Sequence, residues 1–260
     1  MIPRNIVVPL DGSAFAERAI PLAHKLTAQT GGRVTLMRAR EDDDPAREYD
    51  YLQKAAAEHG PVNVLFVQDR QAAPAISVVA EDDGEHLVCM TSHGRGSLRW
   101  AALGSVTEAV IRESRVPVLV VGRHCVLDAA PFEHAVVALD GSDANDPVVP
   151  VAIEWSRELG LTVRLVHVIH PLDVEGAEHP NKAVQAIADR MRESGLTVEA
   201  LLLRSTIVGA AIADAAAAVP GPLVMMSSHS RTGARRFALG SVAMHAVAMS
   251  PAPVLVVHRD

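Results

Sequence analysis

The stretch T-S-H-G-R-G-S-L-R-W-A-A-L-G-S, residues 91–105, decides the fold, because it places a loop rich in glycine and serine directly after the apolar run Leu87-Val88-Cys89-Met90. The same arrangement returns at residues 227–241, S-S-H-S-R-T-G-A-R-R-F-A-L-G-S, after the apolar segment 222–226. A buried strand followed by a flexible loop therefore occurs twice in one chain.

The similarity between the two halves extends well beyond these loops. Asp11-Gly12-Ser13 returns as Asp140-Gly141-Ser142, and about half of the positions in residues 91–121 are identical, without a gap, to residues 227–257. A two-unit repeat of this length indicates a domain duplication, since solenoid repeats are shorter and need more copies. We predict a first repeat, residues 1–123, and a second repeat, residues 133–260.

Short β-branched segments alternate with helix-length segments inside each repeat. This alternation predicts parallel strands joined by right-handed helical crossovers. We expect an α/β fold with two tandem Rossmann-like, doubly wound domains, each a five-stranded, mostly parallel sheet with helices on both faces. The predicted strands are 6–10, 33–39, 62–68, 86–91 and 116–122, then 135–139, 162–169, 197–204, 223–227 and 254–258. The predicted helices of the first repeat are 14–30, 46–59, 73–81 and 105–114.

Charge and composition exclude several classes of protein. The formal net charge is −7 and aromatic residues make up 3% of the 260 residues, so we expect no nucleic-acid partner. No secretory signal precedes the first predicted strand, and the apolar segment 207–226 is interrupted by one aspartate and two prolines. We therefore expect a cytoplasmic protein without a membrane span. In a reducing compartment Cys89 and Cys125 are expected to be structural thiols.

The glycine-rich loops point to an anion. Ligands of open parallel sheets bind at the carboxyl ends of the strands, which is where both loops lie. Glycine and serine let backbone N–H groups turn inward, and Gly104-Ser105 begins a helix whose first N–H groups have no partner within the helix. No lysine precedes Ser105, and G-x-G-x-x-G does not follow the first strand, so neither common nucleotide fingerprint is present. The loops predict a phosphate site of another type.

At these residues the chain resembles the universal stress protein family in its tandem form, over nearly its full length. ATP-binding members of that family have G-x-x-G-x(9)-G-[ST] at this place and an Asp at the end of the first strand. The resemblance implies a stress-response or signalling protein that binds ATP, with or without Mg²⁺, and that is not an enzyme apart from slow ATP hydrolysis.

The resemblance also implies which residues surround the nucleotide. The Asp after the first strand faces the adenine or the ribose, backbone of the second and fourth strands lines the base, and the loop flanks the ribose and phosphates. In the first repeat these residues are Pro9, Leu10, Asp11, Ala39, Met90, Thr91, Gly94, Gly104, Ser105 and Val106. In the second repeat they are Asp140, Val168, Met226, Ser227, Ser230, Gly240, Ser241 and Val242.

Both repeats depart from the family pattern. Thr91 and Ser227 stand where the pattern opens with Gly, and Ser230 stands where the first repeat keeps Gly94. The two hydroxyls can still reach a phosphate, whereas Ser230 would be strained by about 1 kcal/mol if its position required a positive φ. A loss of about 1.4 kcal/mol is tenfold in affinity, so we expect the first repeat to be the better binder.

Simpler roles remain open for several of these residues. Asp11-Gly12-Ser13 also fits a strand-end turn in which Ser13 caps a helix. Neutral His93 and His229 are expected to brace their loops by hydrogen bonds rather than to act as bases. Loop arginines can steer phosphates or remain solvated; they are Arg95, Arg99, Arg231 and Arg235.

Two further groups of polar residues do not predict a metal site. His167 and His170 are three residues apart on a strand and should point to opposite faces. The acidic run 41–44 reads as a solvated loop. We expect no protein-held metal ion at either place.

Three functions are compatible with these observations. The first is a non-catalytic stress or signalling protein that responds to bound ATP, which needs a phosphate-binding loop but no nucleophile. The second is an ATP-using enzyme, which would need metal ligands and a base beside the phosphates. The third is a structural interaction module that has lost nucleotide binding. The sequence favours the first.

The last strand of each repeat is apolar and needs a cover for its free edge. We predict that residues 118–121 pair with residues 254–257 inside the chain. The resemblance implies that the two repeats form a pseudo-twofold pair, since tandem family members place their repeats as separate family chains pair in a dimer. Association of two whole chains into a homodimer is left open.

Overall fold

The chain is described from a computed structural model that covers residues 2–39, 44–69, 71–82, 86–94, 103–141, 146–172, 178–228 and 240–258. Several residues predicted to be functional lie outside these described residues. They are Arg95, Arg99, His229, Ser230, Arg231 and Arg235.

The first repeat is a parallel α/β domain. Its strands are β1 (Asn5–Pro9), β2 (Arg33–Ala39), β3 (Asn63–Val67), β4 (His86–Thr91) and β5 (Val118–Val121). Its helices are α1 (Ala14–Glu17), α2 (Ala19–Thr30), α3 (Pro45–His59), α4 (Ala72–Glu81) and α5 (Ser105–Glu113). The strand order is β3-β2-β1-β4-β5, and each of these neighbouring pairs is parallel. The order reverses at β1 and β4, so these two strands frame the position where ligands of such sheets bind.

The second repeat has the same order of elements. Its strands are β6 (His134–Leu139), β7 (Thr162–Ile169), β8 (Val198–Arg204), β9 (Pro222–Ser227) and β10 (Val254–Val257). Its helices are α6 (Val148–Leu159), α7 (Glu178–Glu193), α8 (Val208–Ala217) and α9 (Ser241–Met249). The order β8-β7-β6-β9-β10 and its parallel pairs mirror those of the first repeat. The predicted fold class of two tandem α/β domains is therefore confirmed.

The central strands are apolar because both of their faces are covered. All four residues of β5 and of β10 are buried, as are the three middle residues of β1. This continuous burial is typical of parallel sheets, and it places the core of each repeat around its central strands.

One predicted helix is interrupted. Residues 14–30 form two helices rather than one, since α1 ends at Glu17 and α2 begins at Ala19. Pro21 has no N–H with which to reach the carbonyl of Glu17, so the helical hydrogen-bond pattern breaks at this point. Pro150 occupies the corresponding place near the start of α6. The prediction of one continuous helix was wrong because the apolar pattern continues past Pro21, whereas the helical hydrogen bonds do not.

The segment that connects the two repeats is divided between two compact units. Ile2–Val121 and Leu127–Pro131 belong to one unit, whereas Gly122–Val126 belongs to the unit that continues from Phe132. The boundaries at 123 and 133 and the pairing of the final strands stay predictions. Among the described residues, no helix is both long and apolar enough to cross a membrane.

Candidate functional site

The first repeat brings three sequence-predicted segments to one end of its sheet. Parallel pairing of Val7 with Val88 places β1 beside β4, so Asp11, which follows β1, and Thr91, which ends β4, lie at the same edge. The loop after Thr91 leads to α5, which begins at Ser105. The candidate site is thus built from two strand ends and one helix N-terminus.

Asp11 is part of a turn that also starts α1. Its Oδ1 accepts hydrogen bonds from Ser13 N at 2.9 Å and from Ser13 Oγ at 2.6 Å. Ser13 Oγ in turn accepts from Ala16 N at 3.1 Å and so caps the helix. The simpler role considered for Asp11-Gly12-Ser13 is therefore present, with Gly12 at a φ of 82°. This turn fixes Asp11 at the edge of the sheet.

Gly94 approaches the same carboxylate. A β-carbon at residue 94 would overlap Asp11 Oδ2, so any side chain here would displace the Asp11 carboxylate. Gly94 is not among the described glycines with positive φ, so close approach rather than a left-handed backbone explains why glycine is needed. The structure thereby joins two residues that are 83 positions apart in the sequence.

Gly104 closes the loop and begins α5. Its N–H donates to Ser92 O at 2.8 Å, which brings the two ends of the loop together. A β-carbon at residue 104 would lie 3.3 Å from His93 Cα and 3.4 Å from Ser92 O, so the approach leaves little space. Gly104 offers no side-chain cap to α5, and the following Ser105 and Val106 are exposed. The first N–H groups of α5 therefore lack an N-cap side-chain acceptor at this end of the sheet.

The side chains beside this loop form hydrogen bonds within the protein. Thr91 Oγ1 donates to His93 O at 2.8 Å, and Thr107 Oγ1 donates to Thr91 O at 2.9 Å. The Thr91 hydroxyl, expected to reach a phosphate, is thus used inside the loop. His93 is buried and its Nδ1 lies 3.0 Å from Ser92 Oγ. This contact agrees with the bracing role expected for the imidazole.

The base side of the predicted site is apolar. Leu10, Ala39 and Met90 are buried at the ends of neighbouring strands, and Pro9 is half-buried. Leu10 N donates to Met37 O at 2.8 Å, which continues the pairing of β1 with β2 beyond Pro9. A flat ligand inserted here would meet hydrocarbon side chains and strand-end backbone.

A buried charged group next to this apolar side was missed by the sequence reasoning. Arg38, on β2, is 3% exposed, and its Nη1 donates to Leu10 O at 3.2 Å. Its guanidinium pairs with the buried carboxylate of Glu48 and lies 5.1 Å from the centre of the Tyr51 ring. The signal available in the sequence was a single arginine in the otherwise apolar segment L-M-R-A.

Tyr51 extends this cluster toward α1. Its hydroxyl donates to Glu17 Oε1 at 2.8 Å. Burial and the hydrogen bond to Glu17 raise the pKa of Tyr51 above its usual range. The charge of Asp11 raises the pKa of Tyr51 in the same direction. The four residues Arg38, Glu48, Tyr51 and Glu17 are called the polar cluster below.

The second repeat preserves part of this geometry. His167 occupies the position of Arg38, and its Nδ1 lies 3.0 Å from Leu139 O. Since a carbonyl oxygen accepts only, this imidazole nitrogen carries the hydrogen. His167 thus ties β7 to the residue before Asp140 in the way that Arg38 ties β2 to the residue before Asp11.

The helix start in the second repeat also matches. Gly240, with φ −58° and ψ 141°, precedes α9 as Gly104, with φ −62° and ψ 146°, precedes α5. Gly240 N donates to Ser228 O at 3.0 Å, as Gly104 N does to Ser92 O. The remaining predicted residues differ in exposure: Met226 is buried, Val168, Ser227 and Val242 are half-buried, and Asp140 and Ser241 are exposed.

Ser227 differs from its counterpart Thr91. Its hydroxyl donates to Oδ1 of Asp146, a buried residue that also accepts from Val148 N at 3.1 Å. A carboxylate therefore lies at the head of the second loop, where a hydroxyl was expected to face a phosphate. Asp146 was not singled out in the sequence, because it is one of three aspartates in a short polar segment.

No cluster of three or more histidine, cysteine, aspartate or glutamate side chains suited to a metal ion occurs within the described ranges. His167 is committed to Leu139 O, and His170 lies beyond the end of β7 and is exposed. The alternation of faces along a strand therefore does not extend to His170, and the opposite orientations of the two histidines stay a prediction.

Strand order, duplication and the glycine-headed helix define a tandem, Rossmann-like α/β protein. The profile described as the universal stress protein family matches residues 38–122 and 131–258. The chain belongs to the universal stress protein family.

Individual relatives agree with this assignment. A universal stress protein of Mycobacterium tuberculosis is 27% identical over 204 residues, which cover 73% of this chain and 67% of that protein. One from Methanocaldococcus jannaschii is 53% identical over 45 residues, 17% of this chain and 28% of that protein. The crystal structure of a universal stress protein from Archaeoglobus fulgidus has a TM-score of 0.66 at 19% identity, covering 99% of this chain and 97% of that one, and thus shows the shared fold.

Proposed function

We propose that this chain is a cytoplasmic stress-response or signalling protein that binds ATP in its first repeat, with no hydrolysis or slow hydrolysis. One observation carries the proposal: Asp11, Gly94 and Gly104 meet at the strand-order reversal, beside the first turn of α5. Membership of the universal stress protein family supports it further.

The charges of the site fit the two ends of a nucleotide. The N-terminal N–H groups of α5 carry partial positive charge and favour the phosphates. The Asp11 carboxylate accepts hydrogen bonds and therefore suits the hydroxyls of the ribose. Leu10, Ala39 and Met90 supply the apolar contacts that a base requires. Mg²⁺, if it accompanies ATP, would be held mainly by the phosphates.

A matched pair of variants tests the proposal. Gly104→Val adds a side chain at a position where even a β-carbon would lie 3.3 Å from His93 Cα. Gly240→Val makes the same change in the second repeat. Calorimetry with nucleotide-stripped protein should show ATP binding that Gly104→Val abolishes and Gly240→Val leaves intact. Equal loss in both variants, or no loss in either, would refute the assignment to the first repeat.

A structural module that has lost nucleotide binding is the second candidate. The observation in its favour is that the Thr91 and Ser227 hydroxyls bind His93 O and Asp146 rather than facing the site. Mass spectrometry of small molecules released from the heat-denatured protein separates the two functions. Adenine nucleotide in the released fraction favours the first, and its absence together with a flat ATP titration favours the second.

A further inference from the structure

The two repeats differ at one acidic position close to the ligand loop. An offset of 129 residues relates Asp11 to Asp140 and Gly31 to Gly160, and the same offset relates Glu17 to Asp146. Each repeat therefore carries a carboxylate at the entrance to its first long helix. The hydrogen-bond partners of these two carboxylates are not the same.

In the first repeat the carboxylate is held by the polar cluster. Glu17 accepts the Tyr51 hydroxyl at 2.8 Å, and Tyr51 lies against Arg38, which pairs with Glu48. The Glu17 carboxylate therefore contacts Tyr51 of α3. Thr91, at the head of the loop, hydrogen-bonds to His93 O, and within the described ranges its hydroxyl makes no such contact with an acid.

In the second repeat the polar cluster is replaced. His167 stands for Arg38 in the strand register. The registers of β3 and β8 give an offset of 136 residues, which relates Glu48 and Tyr51 of α3 to Val184 and Ile187 of α7. Both α7 side chains are buried and apolar, at 2% and 1% exposure. The Ile187 side chain has no hydrogen-bond donor, so it cannot bind Asp146 as the Tyr51 hydroxyl binds Glu17.

Asp146 instead hydrogen-bonds to the head of the second loop. Its Oδ1 accepts from Ser227 Oγ, and Ser227 directly precedes Ser228, whose carbonyl binds the N–H of Gly240. Asp146 is 4% exposed, so water screens the field of its carboxylate poorly. A phosphate at the start of α9 would be placed near this negative charge.

We propose that the buried carboxylate of Asp146 excludes polyphosphates from the second repeat, so that the chain binds one ATP and not two. This inference rests on the proposed function, because it assumes that the first repeat supplies the ATP site. Asp146 acts through charge, and it also positions Ser227 and the first turn of α6.

The test uses Asp146→Asn, which keeps an oxygen acceptor for Val148 N and Ser227 Oγ but removes the charge. Asp146→Ser is a second variant, since serine is also accepted near helix starts. Glu199→Gln is the control, because it removes one exposed charge from the same repeat. Each change is made in the wild-type chain and in the Gly104→Val background, and ATP is titrated by calorimetry at low salt.

We expect one ATP per wild-type chain, two for either Asp146 variant, and one for Glu199→Gln. In the Gly104→Val background, Asp146→Asn should restore binding, and ATP affinity at the second repeat should rise about tenfold or more. Because Asp146 is buried, high salt should narrow this difference only slightly.

The outcomes separate the inference from the function on which it rests. A single ATP in both wild type and correctly folded Asp146 variants overturns the role of Asp146 and leaves the proposed function standing. Two ATP molecules in wild type also overturn it. No binding in wild type, with binding in Asp146→Asn, would refute the first-repeat site while supporting the exclusion by Asp146; no binding in any variant would overturn both.

Discussion

Replacing Gly94 by serine tests whether close approach to Asp11 is what the first repeat requires. A β-carbon at residue 94 would overlap Asp11 Oδ2, so the carboxylate must move away from its present position. The substitution also gives the first repeat the residue type that the second repeat has at Ser230. The variant therefore shows how the serine of the second loop affects ATP binding in the first repeat.

The cost follows from the contacts that hold Asp11. Its Oδ1 accepts two hydrogen bonds from Ser13, at 2.9 and 2.6 Å, and moving the carboxylate weakens both. At about 1 kcal/mol for each hydrogen bond, the loss is about 2 kcal/mol. ATP that binds only when the carboxylate occupies its original position has to recover this free energy, and because 1.4 kcal/mol is a factor of ten, ATP should bind about thirtyfold more weakly.

Calorimetry with ATP measures this change, and thermal unfolding of the free protein serves as its control. Ser13→Ala removes the hydrogen bond from Ser13 Oγ to Asp11 and the cap of α1 but keeps the hydrogen bond from Ser13 N, so it should weaken ATP binding less, by about fivefold. If Gly94→Ser bound ATP as tightly as the wild type while remaining folded, the contact between Gly94 and Asp11 would have no functional importance.

Three further predictions concern stability. Arg38→Leu leaves the buried Glu48 carboxylate without its ion-pair partner and should lower the free energy of unfolding by about 3–5 kcal/mol in urea titrations, whereas Glu199→Ala at an exposed pair should cost less than about 1 kcal/mol. The raised pKa of Tyr51 means that its stabilisation is present below about pH 10 and lost above it, so Tyr51→Phe should reduce the alkaline loss of stability. Burial and then the charge of His59 lower the pKa of His24, so stability should fall as the pH drops below about 6.5, and His24→Gln should lessen that fall.

Each stability prediction has a result that contradicts it. Equal losses for Arg38→Leu and Glu199→Ala would mean that the buried pair contributes no more than the exposed one. If the wild type and Tyr51→Phe lost stability equally at alkaline pH, ionisation of the Tyr51 phenol would not be the cause of that loss. Acid unfolding that His24→Gln left unchanged would assign the acid sensitivity to other groups.

The fold could be read from the sequence because its signals are local and repeated. β2, β4 and β7 were predicted with their observed bounds, since each is a short segment rich in apolar residues between helix-length segments. The duplication fixed the order of elements in both repeats. The break between α1 and α2 was missed, because one proline acts through a single absent N–H and barely changes the hydrophobic pattern.

The site was less accessible to sequence reasoning because it depends on contacts between distant residues. The family pattern singled out Asp11, Gly94 and Gly104, but it does not show that a side chain at residue 94 would meet the Asp11 carboxylate. Neither the partner of Arg38 on α3 nor that of Ser227 on α6 is indicated by spacing along the chain. Such pairs become visible once strand register and helix packing are known.

The most direct test of the account is a calorimetric titration of nucleotide-stripped protein with ATP, in wild type and in Gly104→Val. The account predicts saturable binding of one ATP per wild-type chain and none in a folded Gly104→Val variant. A flat wild-type titration up to millimolar ATP, or unchanged binding in Gly104→Val, would contradict it.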